Sequence, residues 1–249
     1  YLISAVSDTQ TLAIYANAAK VLPFDILLIA FMTVLLPHIT RQIAAKRYGD
    51  AVETYRAYLE ISYISTALLA CGVLAAAPEA MRLLYSEKYI SGLPVFRIYI
   101  VSDIFHFANI TLILTASGRT KLLMRLGFLG LAANFVLNIL FYRLMGVAGP
   151  ALATLLVSLG LGITILHFSA KELHTSIRGL FDCKYLLIFA LECIGGTAVF
   201  SAARRWLETT QMHYLAVMIA VCAGYVLCVG LPNAKRFLHD LKKISTLKA

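Results

Sequence analysis

An all-α fold, a polytopic bundle of about seven transmembrane helices, is predicted by three observations. The 249 residues are 60% apolar with a mean hydropathy of +0.81, whereas soluble chains are roughly 45–50% apolar. The apolar residues gather in runs of about 20, the length that crosses a hydrocarbon core of roughly 30 Å. No run alternates with the period-2 pattern of a membrane barrel, and open strands cannot satisfy their backbone in lipid, so the spans are helices.

The element order follows from those runs. Residues 1–7 read as the end of an earlier helix and 8–11 as a short turn. Spans are expected near 12–37, 57–77, 94–117, 122–142, 147–168, 185–203 and 214–232. Very short links join the middle three: Gly118-Arg119-Thr120-Lys121 and Gly146-Val147-Ala148-Gly149. The basic stretch 49–58 and the tail 233–249 have helical spacing of apolar residues such as Phe237, Leu241 and Ile244. They are expected either to lie along the inner leaflet or to form solvated ends that fix topology.

Lys and Arg set the orientation, because short cytoplasmic loops retain them. Alternate loop ends carry fifteen cations at one side, among them Arg41, Arg47, Arg56, Arg119, Arg178 and Arg236, against six at the other, among them Arg82, Arg143, Arg204 and Arg205. The C-terminus is therefore expected in the cytoplasm. An external start to the first complete helix implies an odd number of preceding spans. The formal net charge of +9 belongs to these loops and not to a basic face for nucleic acid.

Cys71, Cys183, Cys193, Cys222 and Cys228 lack metal-ligand spacing and read as small apolar packing residues. No GxxxxGK[ST] loop occurs, so ATP is not the driver in this chain. No two aspartates lie three or four residues apart, which argues against a magnesium-dependent enzyme on polyprenyl phosphates. No enzyme activity, cofactor or metal is expected.

Ionisable groups inside a span cost roughly 2.5–3.5 kcal/mol at mid-bilayer, so they need a partner, a cavity or a task. In the span 94–117, Asp103, His106 and Asn109 form one polar stripe. That stripe would either line a cavity, taking up a proton or cation, or hydrogen-bond within the bundle. Asn17, Lys20 and Asp25 flank Pro23, which is expected to kink the first span. Lys20 is suited to meet a phosphate or to snorkel outwards. Asn134 and Asn138 share a face, for interhelical bonding or for substrate hydroxyls. Arg97, near a span end, and Glu192, beside Gly195-Gly196, are weaker pathway candidates; close helix packing is the alternative for Glu192.

Several motifs then occur in order: Tyr1-Leu2-Ile3-Ser4, Ile14-Tyr15-Ala16-Asn17-Ala18-Ala19, Leu22-Pro23, Leu35-Leu36-Pro37, Leu84-Tyr85-Ser86-Glu87-Lys88-Tyr89, Ala116-Ser117-Gly118-Arg119-Thr120-Lys121, and Asn134, Asn138 with Gly149-Pro150-Ala151-Leu152-Ala153-Thr154. Over residues 1 to about 170 the chain resembles the second lobe of bacterial O-antigen-type polysaccharide flippases of the multidrug/oligosaccharidyl-lipid/polysaccharide exporter superfamily. The resemblance implies a two-lobed bundle moving an undecaprenyl-diphosphate-linked oligosaccharide across the bacterial inner membrane by alternating access.

On that template residues 1–170 are the end of helix seven and helices eight to twelve, and 171–249 add two helices and a basic cytoplasmic tail. The implied partners are the lipid-linked substrate, the bilayer, an N-terminal lobe outside this sequence, and a polymerase and glycosyltransferases of the same pathway. Two relatives within the superfamily are the alternatives. Lipid II flippases share Leu22-Pro23 and Leu35-Leu36-Pro37 but carry an acidic residue and an arginine where this chain has Asn17 and Ala18. A multidrug and toxin exporter would use Asp25 or Asp103 as its cation-coupling carboxylate.

Overall fold

A computed structural model describes residues 9–19 and 26–245. Among them there is no strand, and the helices are α1 (Thr9–Ala18), α2 (Ile26–Ala44), α3 (Tyr48–Ala75), α4 (Ala77–Tyr85), α5 (Leu93–Phe105), α6 (Leu112–Ala116), α7 (Thr120–Met145), α8 (Gly149–Glu172), α9 (Cys183–Thr209), α10 (Tyr214–Tyr225) and α11 (Leu231–Ser245). Lys20, Pro23 and Asp25, with the kink expected there, lie outside the described residues, as do Tyr1–Ser4.

The bundle is assembled around α3. Its apolar window is 67% buried, against 11% to 22% for the other long apolar helices, and it packs against α2, α5, α9, α10 and α11. Small residues permit that many neighbours: Ala51, Ala57, Ala67, Ala70, Gly72 and Ala75 all lie on its buried surface. A Cβ added at Gly72 would sit 3.3 Å from the Tyr225 ring.

The outer helices show the reverse arrangement. Phe128, Leu129, Leu131, Phe135 and Val136 on α7 are exposed, as are Leu187, Leu191 and Ile194 on α9. A contiguous apolar surface of this kind is a liability in water and the required exterior in lipid. Among the described residues, four helical stretches are long and apolar enough to cross a membrane: Tyr48–Ala75, Thr120–Glu172, Cys183–Thr209 and Tyr214–Ile244. The second is a hairpin of two helices, α7 and α8, turned at Gly146–Ala148.

Several boundaries differ from expectation, each for a physical reason. The helix expected to end at Pro37 continues through it to Ala44, and the stretch 49–58 is the buried first part of α3, not a surface helix. Both tolerate the sequence because they pack on each other through Leu35, Ile39, Tyr55 and Tyr58. The tail is likewise not separate. Residues 226–230 form one π-turn that joins α10 to α11. Pro232, two residues later, lacks the N–H that an α-turn would give to the carbonyl of Cys228, and a π-turn is a common response to such an interruption.

The span expected at 94–117 is two helices, α5 and α6, separated by non-helical backbone at 106–111. Cys71 and Cys193 are buried packing residues, whereas Cys183 and Cys228 are exposed, so the packing expectation holds for only part of the set.

Loop charges gather as the alternation of ends requires. At one end Arg119 bonds Glu172, Arg56 donates to the carbonyl of Gly179, and Arg236 pairs with Asp182. At the other, Arg82 pairs with Glu87 and Arg204 with Glu79. The first is called the basic end below.

Candidate functional site

Within an apolar helix every N–H finds its carbonyl, so a break releases backbone groups that lipid cannot satisfy. Such a break is tolerated where protein covers it or where it lines a watery cavity. At 106–111 the first condition holds. The Tyr58 hydroxyl accepts from the Asn109 N–H at 2.8 Å, and the Tyr55 hydroxyl donates to the Ile110 carbonyl at 3.1 Å. Asn109 Oδ1 closes the turn by accepting from the Thr111 N–H and hydroxyl at 3.2 and 2.6 Å. Tyr55 and Tyr58 are themselves fully buried on α3. Meanwhile the side chains of His106 and Asn109 are exposed.

This geometry corrects the single polar stripe. Asp103 is buried on α5, His106 caps that helix, and Asn109 stands in the break, so the three do not share one helical face. His106 Nδ1 lies 2.9 Å from the Ser102 carbonyl oxygen and 3.5 Å from the Ser102 hydroxyl. A tyrosine hydroxyl that replaces a missing helical partner is worth its full desolvation penalty. Tyr58→Phe is therefore expected to cost about 1–3 kcal/mol, read as a lower unfolding temperature of the purified protein, whereas Tyr214→Phe, at a half-buried position at the start of α10, should change little.

Asn134 and Asn138 form a chain of amides across the α7–α8 hairpin. Asn138 Nδ2 donates to Asn134 Oδ1 at 2.8 Å, Asn134 Nδ2 donates to the Thr154 hydroxyl at 3.3 Å, and that hydroxyl donates to the Pro150 carbonyl at 2.9 Å. The small residues of the 149–154 segment make this approach possible. A Cβ on Gly149 would fall 2.1 Å from the Phe141 carbonyl oxygen, and one on Gly130 would fall 2.4 Å from Leu161.

Asn17 is half-buried and donates to the Ala13 carbonyl of its own helix at 3.0 Å, while Ala18 is fully buried. Tyr15 on the same helix reaches Tyr99 of α5, hydroxyl to hydroxyl, at 2.8 Å. Arg97 is exposed. Glu192 accepts from Asn233 Nδ2 at 2.8 Å, which joins α9 to α11, and a Cβ at Gly196 would be 2.8 Å from Val229, as close helix packing requires.

Beside the break runs an apolar groove of about 510 Å³ between α3, α5 and α9, lined by residues that include Tyr63, Cys71, Val101, Phe105, Ile194 and Thr197. Its walls are hydrocarbon, with few polar atoms.

Two ionic clusters escaped sequence reasoning. Arg204 is buried between Glu79, at 3.2 Å, and Glu208, at 2.7 Å. At the basic end Arg236 bonds Glu60 at 2.9 Å and Asp182 at 2.8 Å, and its guanidinium lies 3.9 Å from the Tyr185 ring centroid. The available signal was opposite charges at the same ends of different spans, which sequence alone does not pair.

Asp182 also caps α9 by accepting from the Tyr185 N–H at 3.2 Å. The Arg236 hydrogen bond, then the Tyr185 N–H, hold its carboxyl below the usual range. A carboxyl with a depressed folded value stabilises the fold above its unfolded value, and the stabilisation is lost as pH falls through the folded value. Asp182→Asn should therefore lower thermal stability at neutral pH, and the difference from wild type should disappear in strong acid. A difference that persists unchanged there would show that charge is not the cause.

Comparison with known proteins adds the family. The family model described as "Lipid II flippase MurJ" matches residues 2–226. No curated protein and no solved structure matches the chain. A single model that covers nearly the whole sequence, on an all-helical bundle with an apolar exterior, establishes membership: this integral membrane protein belongs to the MurJ family of lipid II flippases, which are transporters of a lipid-linked substrate and not enzymes.

Proposed function

We propose that the chain carries lipid II, an undecaprenyl-diphosphate-linked saccharide, across the bacterial inner membrane, as the second lobe of a two-lobed bundle working by alternating access. Residues 1–170 form the lobe, and 171–249 supply two further helices and a tail in the cytoplasm. The observation that carries this reading is the family match over residues 2–226. Such a cargo needs a wet path for sugars and phosphates beside a dry path for its tail. The exposed His106 and Asn109 at the break supply groups for the first, and the groove between α3, α5 and α9 has the chemistry of the second.

In this scheme Asp103, His106 and Asn109 serve the pathway, Lys20 meets the diphosphate, and Asn17, Asp25, Asn134 and Asn138 line or brace it. Replacing Asp103 or His106 with Ala in the full-length protein is expected to abolish transport while the protein remains in the membrane. Unchanged transport by both variants would remove the pair from the mechanism.

A second reading, a flippase for a polysaccharide repeat unit, is favoured by Asn17 and Ala18. Neither is the charged residue of the lipid II pattern, and Ala18 is too buried to contact a cargo. Two strains separate the readings: one depleted of its lipid II flippase and one lacking its polysaccharide flippase. The full-length protein should restore growth of the first. Restoration only of surface polysaccharide in the second would establish the alternative.

A further inference from the structure

At the basic end lies a cavity of about 700 Å³ whose lining includes Arg56, Glu60, Arg178, Asp182, Arg236 and Asp240. Its depth relative to the bilayer follows from helix length. The continuous stretch Tyr214–Ile244 has 31 residues, about 46 Å at 1.5 Å per residue, against a hydrocarbon core of roughly 30 Å. The last third of that stretch, from near Lys235, therefore stands at the level of lipid headgroups. Arg178 and Asp182, in the connection between α8 and α9, stand at the same level because Asp182 bonds Arg236.

The charges of this cavity are unequally satisfied. Both oxygens of Glu60 are engaged: one accepts from the Asp182 N–H at 3.2 Å and the other from Arg236 at 2.9 Å. Asp240 is 5% exposed, and its Oδ2 has no hydrogen-bond partner among the described residues. It faces the carboxyl of Glu60, with which it can share a hydrogen bond only when one of the two is protonated, and it feels the charges of Arg236 and His239; while both carboxyls are ionised, Glu60 offers it no proton. Nε of Arg56 is likewise buried and unpartnered among the described residues. One cavity thus contains an acceptor in need of a donor and a donor in need of an acceptor. Leaving either unmet is costly at this burial.

We propose that this cavity binds the headgroup of phosphatidylethanolamine, the ammonium on Asp240 and the phosphate on Arg56. The headgroup joins a cation carrying three N–H donors to an anion through two carbons, which matches both needs at once. Phosphatidylcholine has the same charge but no N–H to give Asp240. Phosphatidylglycerol offers no cation. Occupancy would tie α11 to α3 from the lipid side, alongside the protein's own link through Arg236.

The test uses the full-length protein, delipidated in detergent and titrated with each of the three lipids by native mass spectrometry. Phosphatidylethanolamine is expected to bind about tenfold tighter than either of the others, and Asp240→Asn should reduce it to the level of phosphatidylcholine. Equal binding of the three lipids by the wild-type protein overturns the proposal, as does a preference that survives Asp240→Asn. The wild-type comparison decides alone should that variant not fold. Glycerophosphoethanolamine, the soluble headgroup, should compete only weakly; competition with the affinity of the lipid would identify a free phosphate ester as the ligand and overturn the lipid assignment.

Discussion

Arg204→Met is expected to destabilise the purified protein by about 3–5 kcal/mol. Arg204 and Glu79 have side chains only 9% and 1% exposed, so removal of the cation strands a carboxylate that water cannot reach. The remaining partner, Glu208, worsens the loss because it carries the same charge as Glu79. Chemical or thermal unfolding in detergent measures the effect. Restoring neutrality should recover much of it: Glu79→Gln combined with Arg204→Met removes the stranded charge, and a double-mutant cycle should report strong coupling. Additive losses would mean that the two residues do not act as a pair.

Gly149→Ala should be nearly as damaging. The added carbon would meet the Phe141 carbonyl carbon at 2.3 Å and its oxygen at 2.1 Å. Those are backbone atoms that cannot rotate away, so the α7–α8 hairpin must open at its turn. Overpacking ordinarily costs about 1–3 kcal/mol, and a backbone obstacle places this substitution at the top of that range or above it. The separation of the hairpin should also break the bond from Asn134 to Thr154. Gly127→Ala is the control: nothing lies within 4 Å of its added carbon, and Ala is the better helix former by about 1 kcal/mol. The two substitutions should shift the unfolding temperature in opposite directions.

Helix identity was legible in the residues because lipid leaves an apolar run without period-2 alternation only the helix in which to satisfy its polar backbone. The α7–α8 hairpin was read most accurately, since one glycine turn, at Gly118, precedes α7 and a second, at Gly146–Gly149, joins it to α8. The break after Phe105 was not legible, because Phe107, Ile110, Leu112 and Ile113 keep the segment apolar throughout. What opens it is a pair of hydroxyls on α3, Tyr55 and Tyr58, about fifty residues away in the chain. The union of the tail with α10 was obscured by Pro232, which sequence rules treat as a stop and the fold accommodates with a π-turn.

The candidate site divides in the same way. Asn134 and Asn138 were visible as a pair because their spacing alone puts them on one face. Their common partner, Thr154, needed the hairpin geometry. Glu60, Asp182 and Arg236 come from three separate segments and meet only in the folded chain, so no local pattern announces them. Charge counting located the end of the bundle at which they stand.

Whether the full-length protein moves lipid II between leaflets can be measured directly in vesicles. Proteoliposomes loaded with lipid II would be treated with an external hydrolase that cuts its headgroup, and the fraction cleaved followed with time. Cleavage is expected to proceed beyond the outer-leaflet half in vesicles containing the wild-type protein, and to stop at that half with the Asp103→Ala and His106→Ala variants. Cleavage that stops at the outer-leaflet half with the wild-type protein would mean that the protein does not flip lipid II.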